Sequence, residues 1–453
     1  MLTGSATKNF RESLRGQSFC PGEPGYDGAR IVHNAGIDRR PALIARCASA
    51  SDVMYCVRFA REHGLLVSVR GGGHSIAGKA VADAGLMIDL SGMKGIRVDP
   101  AARTVRAEPG LVLGEFDRET QAFGLATTMG VVSRTGIAGL TLGGGLGWLV
   151  RKYGLACDNL ISADVVTAEG QLLTASATQN ADLFWGLRGG GGNFGVVTSL
   201  EYRLHEVGPV LGGAVFHPVE KTREVLGLYR ELTASAPDEL TMQVATMTLP
   251  DVGQVAGIAA CYCGRIEDGE KLLKPLRTFG SPVLDLFAPM AYTQLQSMLD
   301  PFFPPGRYAY TKANFLQDLT PEAINAFAQY AAAPSPYTSG VLEHLGGAFS
   351  RVPSTETAFP HRNYPYNFSI WSNWVNPGDS EKNIRWSREF WDTMRPFMGK
   401  GAYVNYLEDE ADPQAREAYG PNYEALVALK HKYDPTNFFR MNHNVKPAAG
   451  HSS

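Results

Sequence analysis

The chain has 453 residues, 44% of them hydrophobic and 19% charged, which is enough for two or three domains with cores of their own. A formal net charge of −3 and an isoelectric point near 6.4 exclude an electrostatic grip on nucleic acid or an anionic membrane, because phosphate binding needs clustered Lys and Arg. Met1–Lys8 lacks the basic start and apolar core of a signal peptide, and no run approaches about 18 apolar residues, so a cytoplasmic location without a membrane span is expected.

In chain order, Ser51–Gly64 predicts a helix with Val53, Met54, Val57 and Ala60 on one face, Ser51 as cap and Gly64 as terminator. Leu65–Val69 then reads as a short buried strand that delivers Arg70, the glycines Gly71–Gly73, His74 and Ser75 as the loop at its end. Leu86–Leu90 predicts a strand, Ile96–Arg106 a hairpin around Asp99–Ala102, and Leu111–Phe123 a helix. Ala163–Thr174 predicts a second hairpin turning at Glu169–Gly170, and Val196–Tyr202 alternates like a strand. Strands and helices mixed in this way indicate an α+β domain up to about Leu204. After Gly208-Pro209 the glycine clusters stop. Helical stretches at Lys221–Ala236, Pro321–Ala333 and Ser380–Phe397 alternate with strand-like runs at Thr241–Leu249, Val255–Cys263 and Val341–Phe349, predicting a second domain with a broad sheet under helices. Near Gly401 the chain becomes polar and rich in turns.

Six cysteines are scattered along the chain, and Cys261-Tyr262-Cys263, the one close pair, lacks CxxC spacing and reads as two side chains on one strand face. Neither a disulfide framework nor a metal site is expected.

Fifty glycines, clustered at 71–73, 143–145 and 189–192, are the unusual feature of the composition. Clustered glycine permits close backbone approach to a ligand, although each cluster alone could be a tight turn. Gly73–Ala80 nearly matches the phosphate-binding pattern G-x4-G-K-[ST], but Ala80 has no hydroxyl for magnesium. Ser75 suggests a nucleophile elbow, but position 77 holds Ala instead of the Gly that motif needs. Gly190–Gly195 matches G-x-G-x-x-G but precedes a strand, not the helix whose N-terminus would hold a pyrophosphate in a dinucleotide fold. Three clusters beside strands in one domain favour one extended dinucleotide crossed by several loops, with the imidazole of His74 beside it.

Together these segments resemble the berberine-bridge-enzyme-like branch of the vanillyl-alcohol oxidase superfamily, with its FAD-binding domain of the p-cresol methylhydroxylase type. The likeness runs from Pro21–Asp27 and Asp38–Ile44 through Arg70–Ser75, Gly136–Gly139, Gly143–Gly147, Arg151–Leu155 and Asp158-Asn159. It continues through Gly192–Val197, Phe359–Arg362, Tyr403–Tyr406 and Asp434–Asn444. The resemblance implies an α+β fold with an FAD-binding domain in two subdomains over residues 1–206, its core at about 38–206. A substrate domain with a helix-covered antiparallel sheet would follow at 207–400, and a C-terminal segment at 401–453 would return to the flavin domain.

The resemblance also assigns residues. His74 would carry the flavin through its 8α-methyl group, with Arg70, Gly71, Gly72, Gly73, Ser75, Gly136, Gly139, Gly143, Gly144, Asp158, Gly192, Gly195, Val197, Asn442 and Asn444 around the cofactor. The second, cysteinyl link of many members falls on Val132 here, so a single link is expected; Cys157 occupies an Ala-like position. Tyr406 is implied as the base that takes a substrate proton as hydride leaves, with Tyr153 as its partner. A tyrosine near its ordinary pKa of about 10 needs a cationic or hydrogen-bonding neighbour for that work. Where plant members carry Lys and Gln, this chain has Asn367 and Ser369; with Trp371 they share a strand face and are expected to line the pocket. Thr135, just before Gly136, is small enough to admit oxygen. The expectation is an FAD-dependent oxidase acting on an alcohol, sugar or amine-bearing small molecule, with molecular oxygen as acceptor. A flavin dehydrogenase and a non-catalytic flavin-binding protein are the alternatives.

Overall fold

The structure is a computed structural model and describes residues 3–408 and 413–448. Its first sheet has four strands in the order Gln17–Phe19, Leu43–Arg46, Leu86–Asp89, Val67–Arg70. Leu86–Asp89 pairs in parallel with both Leu43–Arg46 and Val67–Arg70, so the connection between those two must cross over. Helix Ala50–Glu62 makes that crossing. Its buried stripe of Val53, Cys56, Val57 and Ala60 packs in the same core as Leu43, Ala45, Val67 and Ile88. The helix starts at Ala50, one position before the expected start, with Ser49 in place of Ser51 at its cap position, and Gly64 turns the chain away at φ +63.

A second sheet of five antiparallel strands runs Ile96–Asp99, Thr104–Ala107, Val196–Arg203, Leu160–Val166, Leu172–Ser176. Both expected hairpins lie in it. The third sheet has eight strands, with Val210–Pro218, Gly253–Tyr262, Leu240–Leu249, Ser339–His344, Tyr366–Trp374 and Tyr308–Leu316 as its antiparallel path. One face carries Val244, Leu342, Phe368 and Ile370 against Tyr229, Phe327 and Phe390 of helices Thr222–Ala234, Pro321–Ala328 and Ser380–Met394. The opposite face looks towards the first two sheets.

The strand expected at Val341–Phe349 ends at His344. Gly346 and Gly347 follow at φ +96 and +59, a conformation that leaves the sheet, and Ala348–Arg351 is a helical turn. Helix Tyr423–Tyr433 packs on helix Ala181–Leu187 through Leu426 and Leu429, in the same core as Leu187 and Phe194. Fully buried Lys430 fixes it there: Nζ donates to Asn193 O, Phe439 O and Asp434 Oδ2, each at 2.7 Å.

Candidate active site

One cavity of about 440 Å³ lies between the sheets. At one end its wall is made of loops and the first residues of the elements they lead into: Gly71–Ser75, Gly130–Val132, Thr135-Gly136, Gly139, Gly191-Gly192, Gly195–Val197 and Met441–His443. Two of these loops cross glycine on glycine. A Cβ on Gly72 would meet Gly136 N at 2.4 Å, and one on Gly136 would meet Gly72 N at 2.3 Å. No side chain fits either position without moving backbone, so the crossing presents bare peptide to the cavity.

The ring of His74 stands in this wall, stacked on His33 at 4.0 Å between centroids. Its Nε2 is buried without a hydrogen-bond partner. Burial, with a smaller contribution from His33, drives its pKa down to about 3, so the imidazole is neutral and keeps a free lone pair. The Asn442 Oδ1 atom is likewise buried and unpartnered, while Asn442 Nδ2 holds Gly192 O at 3.1 Å; Asn444, also expected around the cofactor, has an unpartnered Oδ1 but does not line the cavity. A glycine cradle ringed by unsatisfied polar atoms fits a large, polar, flat ligand such as a flavin dinucleotide.

Not every residue expected around the cofactor touches the cavity. Arg70 holds the preceding segment, its Nη1 donating to Ala29 O at 2.7 Å. Gly143 and Gly144 serve packing: a Cβ on Gly143 would fall 2.0 Å from Asn405 Oδ1, and one on Gly144 would touch Phe359 and Tyr403. Asp158 faces away, paired in two-pronged fashion with buried Arg362 at 2.7 Å on both oxygens, and it also accepts from Leu155 N at 2.8 Å. Cys157 is buried outside the wall, and no cysteine lines the cavity among the described residues.

The other end of the cavity is the open face of the eight-stranded sheet. Three strands align there in register: Gln243 pairs with Glu343 and Glu343 with Asn367; Ala245 with Val341 and Val341 with Ser369; Ser339 with Trp371. Asn367, Ser369 and Trp371 do share one strand face, but only Trp371 lines the cavity. Asn367 and Ser369 are fully buried behind it, because each is engaged by a neighbour: Asn367 Nδ2 donates to Glu343 Oε2 at 2.5 Å, and Trp371 Nε1 donates to Ser369 Oγ at 2.9 Å.

Tyr406 lies on the short helical turn Val404–Tyr406, packed edge-on against Trp371 and Tyr403, both at 4.7 Å. The turn is held from both sides. Tyr403 Oη accepts from Gly145 N at 2.9 Å, and Asn405 Nδ2 donates to Leu140 O at 2.9 Å. Tyr406 Oη donates to Glu343 Oε1 at 3.2 Å.

Glu343, which the sequence reading missed, is the tyrosine's partner, and Tyr153 is not. Tyr153 stacks flat on His205 at 3.8 Å with its hydroxyl towards Glu206 O, outside the cavity. Burial raises the carboxyl of Glu343 to about 7, against hydrogen bonds from Asn367 and Tyr406 that favour the charged form. Tyr406 is pushed well above 10, first by burial and then by the Glu343 charge, so its phenol keeps its proton. The titrating group near neutral pH is the carboxylate.

Comparisons with known proteins agree with this architecture. An FAD binding domain family matches residues 41–176, and a berberine and berberine-like family matches residues 402–446. An FAD-linked oxidoreductase from Dictyostelium discoideum is 34% identical, over 97% of this chain and 96% of its own length. The chain belongs to the berberine-bridge-enzyme-like family of FAD-linked oxidoreductases. This flavoenzyme is also 32% identical to (R)-6-hydroxynicotine oxidase from Paenarthrobacter nicotinovorans, over 96% of this chain and 97% of that one. The solved 6-hydroxy-D-nicotine oxidase from Arthrobacter nicotinovorans superposes with a TM-score of 0.89, at 30% identity over 96% of this chain and 98% of that one. A berberine-bridge-like protein of Physcomitrella patens shares the fold, with a TM-score of 0.89 at 24% identity over 98% and 99% of the two chains. The FAD binding domain match spans the cavity-lining loops at residues 71–75 and 130–136.

No helix among the described residues is long and apolar enough to cross a membrane, and no group of three or more His, Cys, Asp or Glu there is arranged to hold a metal ion.

Proposed function

We propose that this flavoenzyme oxidises a small alcohol, sugar or amine-bearing molecule, with FAD bonded to His74 as its single covalent link and oxygen reduced to peroxide. Bound FAD supplies the two-electron acceptor for hydride, and covalent attachment raises its potential and prevents its loss. The chain's residues do the rest. Glu343 takes the substrate's O–H or N–H proton through Tyr406, whose phenol passes one proton on as it receives another. Trp371 and Tyr403 fix the phenol's plane, and Asn367 holds the carboxylate.

The observation that carries this reading is the contact of Tyr406 with Glu343 in the wall of a cavity whose far end is the glycine cradle. A general base placed this way contributes about 10²–10⁴-fold. The names of the nicotine oxidase relatives support an oxidase, as does Thr135, which lines the cavity beside Gly136. Attachment at His74 is supported by its neutral ring and unpartnered Nε2.

A substrate panel read by peroxide release, with stopped-flow reoxidation in air, tests the activity. Tyr406→Phe is expected to slow flavin reduction by about 10²-fold or more; an unchanged rate with every oxidised compound would leave Tyr406 without a catalytic part. Slow reoxidation in air would favour a dehydrogenase. Acid precipitation should leave yellow colour in the pellet, and His74→Ala should release it.

A further inference from the structure

A second, smaller cavity lies behind the turn that carries Tyr406. Tyr406 and Leu407 line both cavities, so the turn is the wall between them. The smaller space measures about 60 Å³ and is bounded by residues 311–314 of the edge strand Tyr308–Leu316, Trp391 of helix Ser380–Met394, Ala402, residues 406–408 and Glu417. Two polar atoms of this wall, Thr311 Oγ1 and Trp391 Nε1, are buried without a partner. Thr311 is 1% exposed and pairs in register with Trp371, the ring against which Tyr406 packs. Cross-strand partners of this kind have Cβ atoms about 5 Å apart. Glu408 Oε1 accepts from Thr311 N at 2.6 Å, tying the strand to the segment just past Tyr406. Glu417, on the outer side, is exposed. A space of 60 Å³ has room for about two waters at roughly 30 Å³ each, and the two unpartnered atoms are what such waters need.

We propose that this cavity is the proton exit of the active site: water held by Thr311 Oγ1 and Trp391 Nε1 carries the proton from Glu343 and Tyr406 past Glu408 to solvent. This rests on the catalytic reading given above and adds the route by which the base is reset. Glu343 is buried, and Met298, Leu299, Phe302 and Phe303, which line the main cavity, are apolar side chains that pass no proton. The step balances. The substrate gives a hydride, two electrons with one proton, to the flavin and a second proton to Glu343 by way of Tyr406. That second proton crosses the small cavity to the bulk. Dioxygen then takes the two electrons and the hydride's proton, draws one proton back from solvent, and leaves as hydrogen peroxide.

The test mixes the holoenzyme anaerobically with the best substrate of the panel, in weakly buffered solution at pH 8 containing phenol red. Flavin bleaching and the arrival of protons in the bulk are followed together. In the wild type a proton should appear for each flavin reduced, in step with bleaching. Thr311→Val removes the hydroxyl and keeps the shape; Ala402→Leu fills the cavity. Each should delay the proton behind bleaching by at least about tenfold. A structural defect slows both signals alike, so proton and bleaching in step in both variants overturn the proposal. A wild type that bleaches yet releases no proton until air is admitted also overturns it, whether or not the variants fold. Tyr406→Phe keeps the two readings apart. Unchanged bleaching there contradicts the catalytic reading, while a delay in the cavity variants still supports the exit; slow bleaching there with no delay in the cavity variants overturns the exit alone.

Discussion

The two ends of the cavity are built by different rules. The loop end is made of peptide: glycines cross, backbone approaches backbone, and few side chains reach the cavity. The sheet end is made of side chains projected from three strands, where the chemistry depends on which residue stands opposite which. Local sequence specifies the first. Strand register specifies the second, and one residue of slippage would turn Glu343 into the helix-covered core and bring Leu342 or His344 to the cavity.

That contrast predicts how each end breaks. The largest effect belongs to the scaffold that holds the loops. Arg362 and Asp158 form a buried ion pair outside the cavity. Asp158→Ala strands a buried guanidinium and is expected to cost about 3–5 kcal/mol, read as a lowered denaturation midpoint. A loss under 1 kcal/mol would mean that the pair is not needed to shape the loop end.

A smaller effect, with a definite pH signature, belongs to the sheet end. Glu343 sits at about 7 in the folded chain, above the ordinary 4.5 of an unfolded glutamate. The folded state therefore favours its neutral form. Its stabilising contribution is complete below pH 4.5 and is lost as pH rises through about 7. Glu343→Gln, which cannot ionise, should gain about 3 kcal/mol of stability relative to wild type above pH 7 and little at pH 4.5, measured by denaturant unfolding at the two pH values. Equal differences at both would place Glu343 in water.

The smallest effect is expected at Tyr153. It stacks on His205 away from the cavity, so Tyr153→Phe should leave the rate of flavin reduction within about twofold, under 0.5 kcal/mol of barrier. A hundredfold loss would return it to the site.

The same contrast explains what the sequence could tell. His74 and its three glycines were legible because a loop's chemistry lies in consecutive residues, and Gly136, Gly192 and Gly195 followed for the same reason. Gly143, Gly144 and Asp158 carry motif signals as strong, but their work is to pack Asn405 and Tyr403 and to pair with Arg362. A motif records that a residue is constrained, not which neighbour constrains it. Asn367, Ser369 and Trp371 were placed on one face by the two-residue period of a strand, while their depth behind or in the wall depends on partners from another strand. Glu343 lies in Ser339–His344, a run whose alternation suggests only a strand. One signal was available: a carboxylate two residues from Val341, on the same face of a buried strand, needs a partner. Tyr153 failed for the opposite reason, since proximity to a motif is not proximity to the site.

The central claim is that Glu343, acting through Tyr406, accepts the substrate proton. Its most direct test is the pH dependence of anaerobic flavin reduction, by stopped flow, in wild type and Glu343→Gln with the best substrate of the panel. The wild-type rate should rise as pH passes through about 7, where Glu343 ionises, and the variant should be slower by about 10²-fold or more with that rise gone. A variant that keeps both the rate and the rise would contradict it.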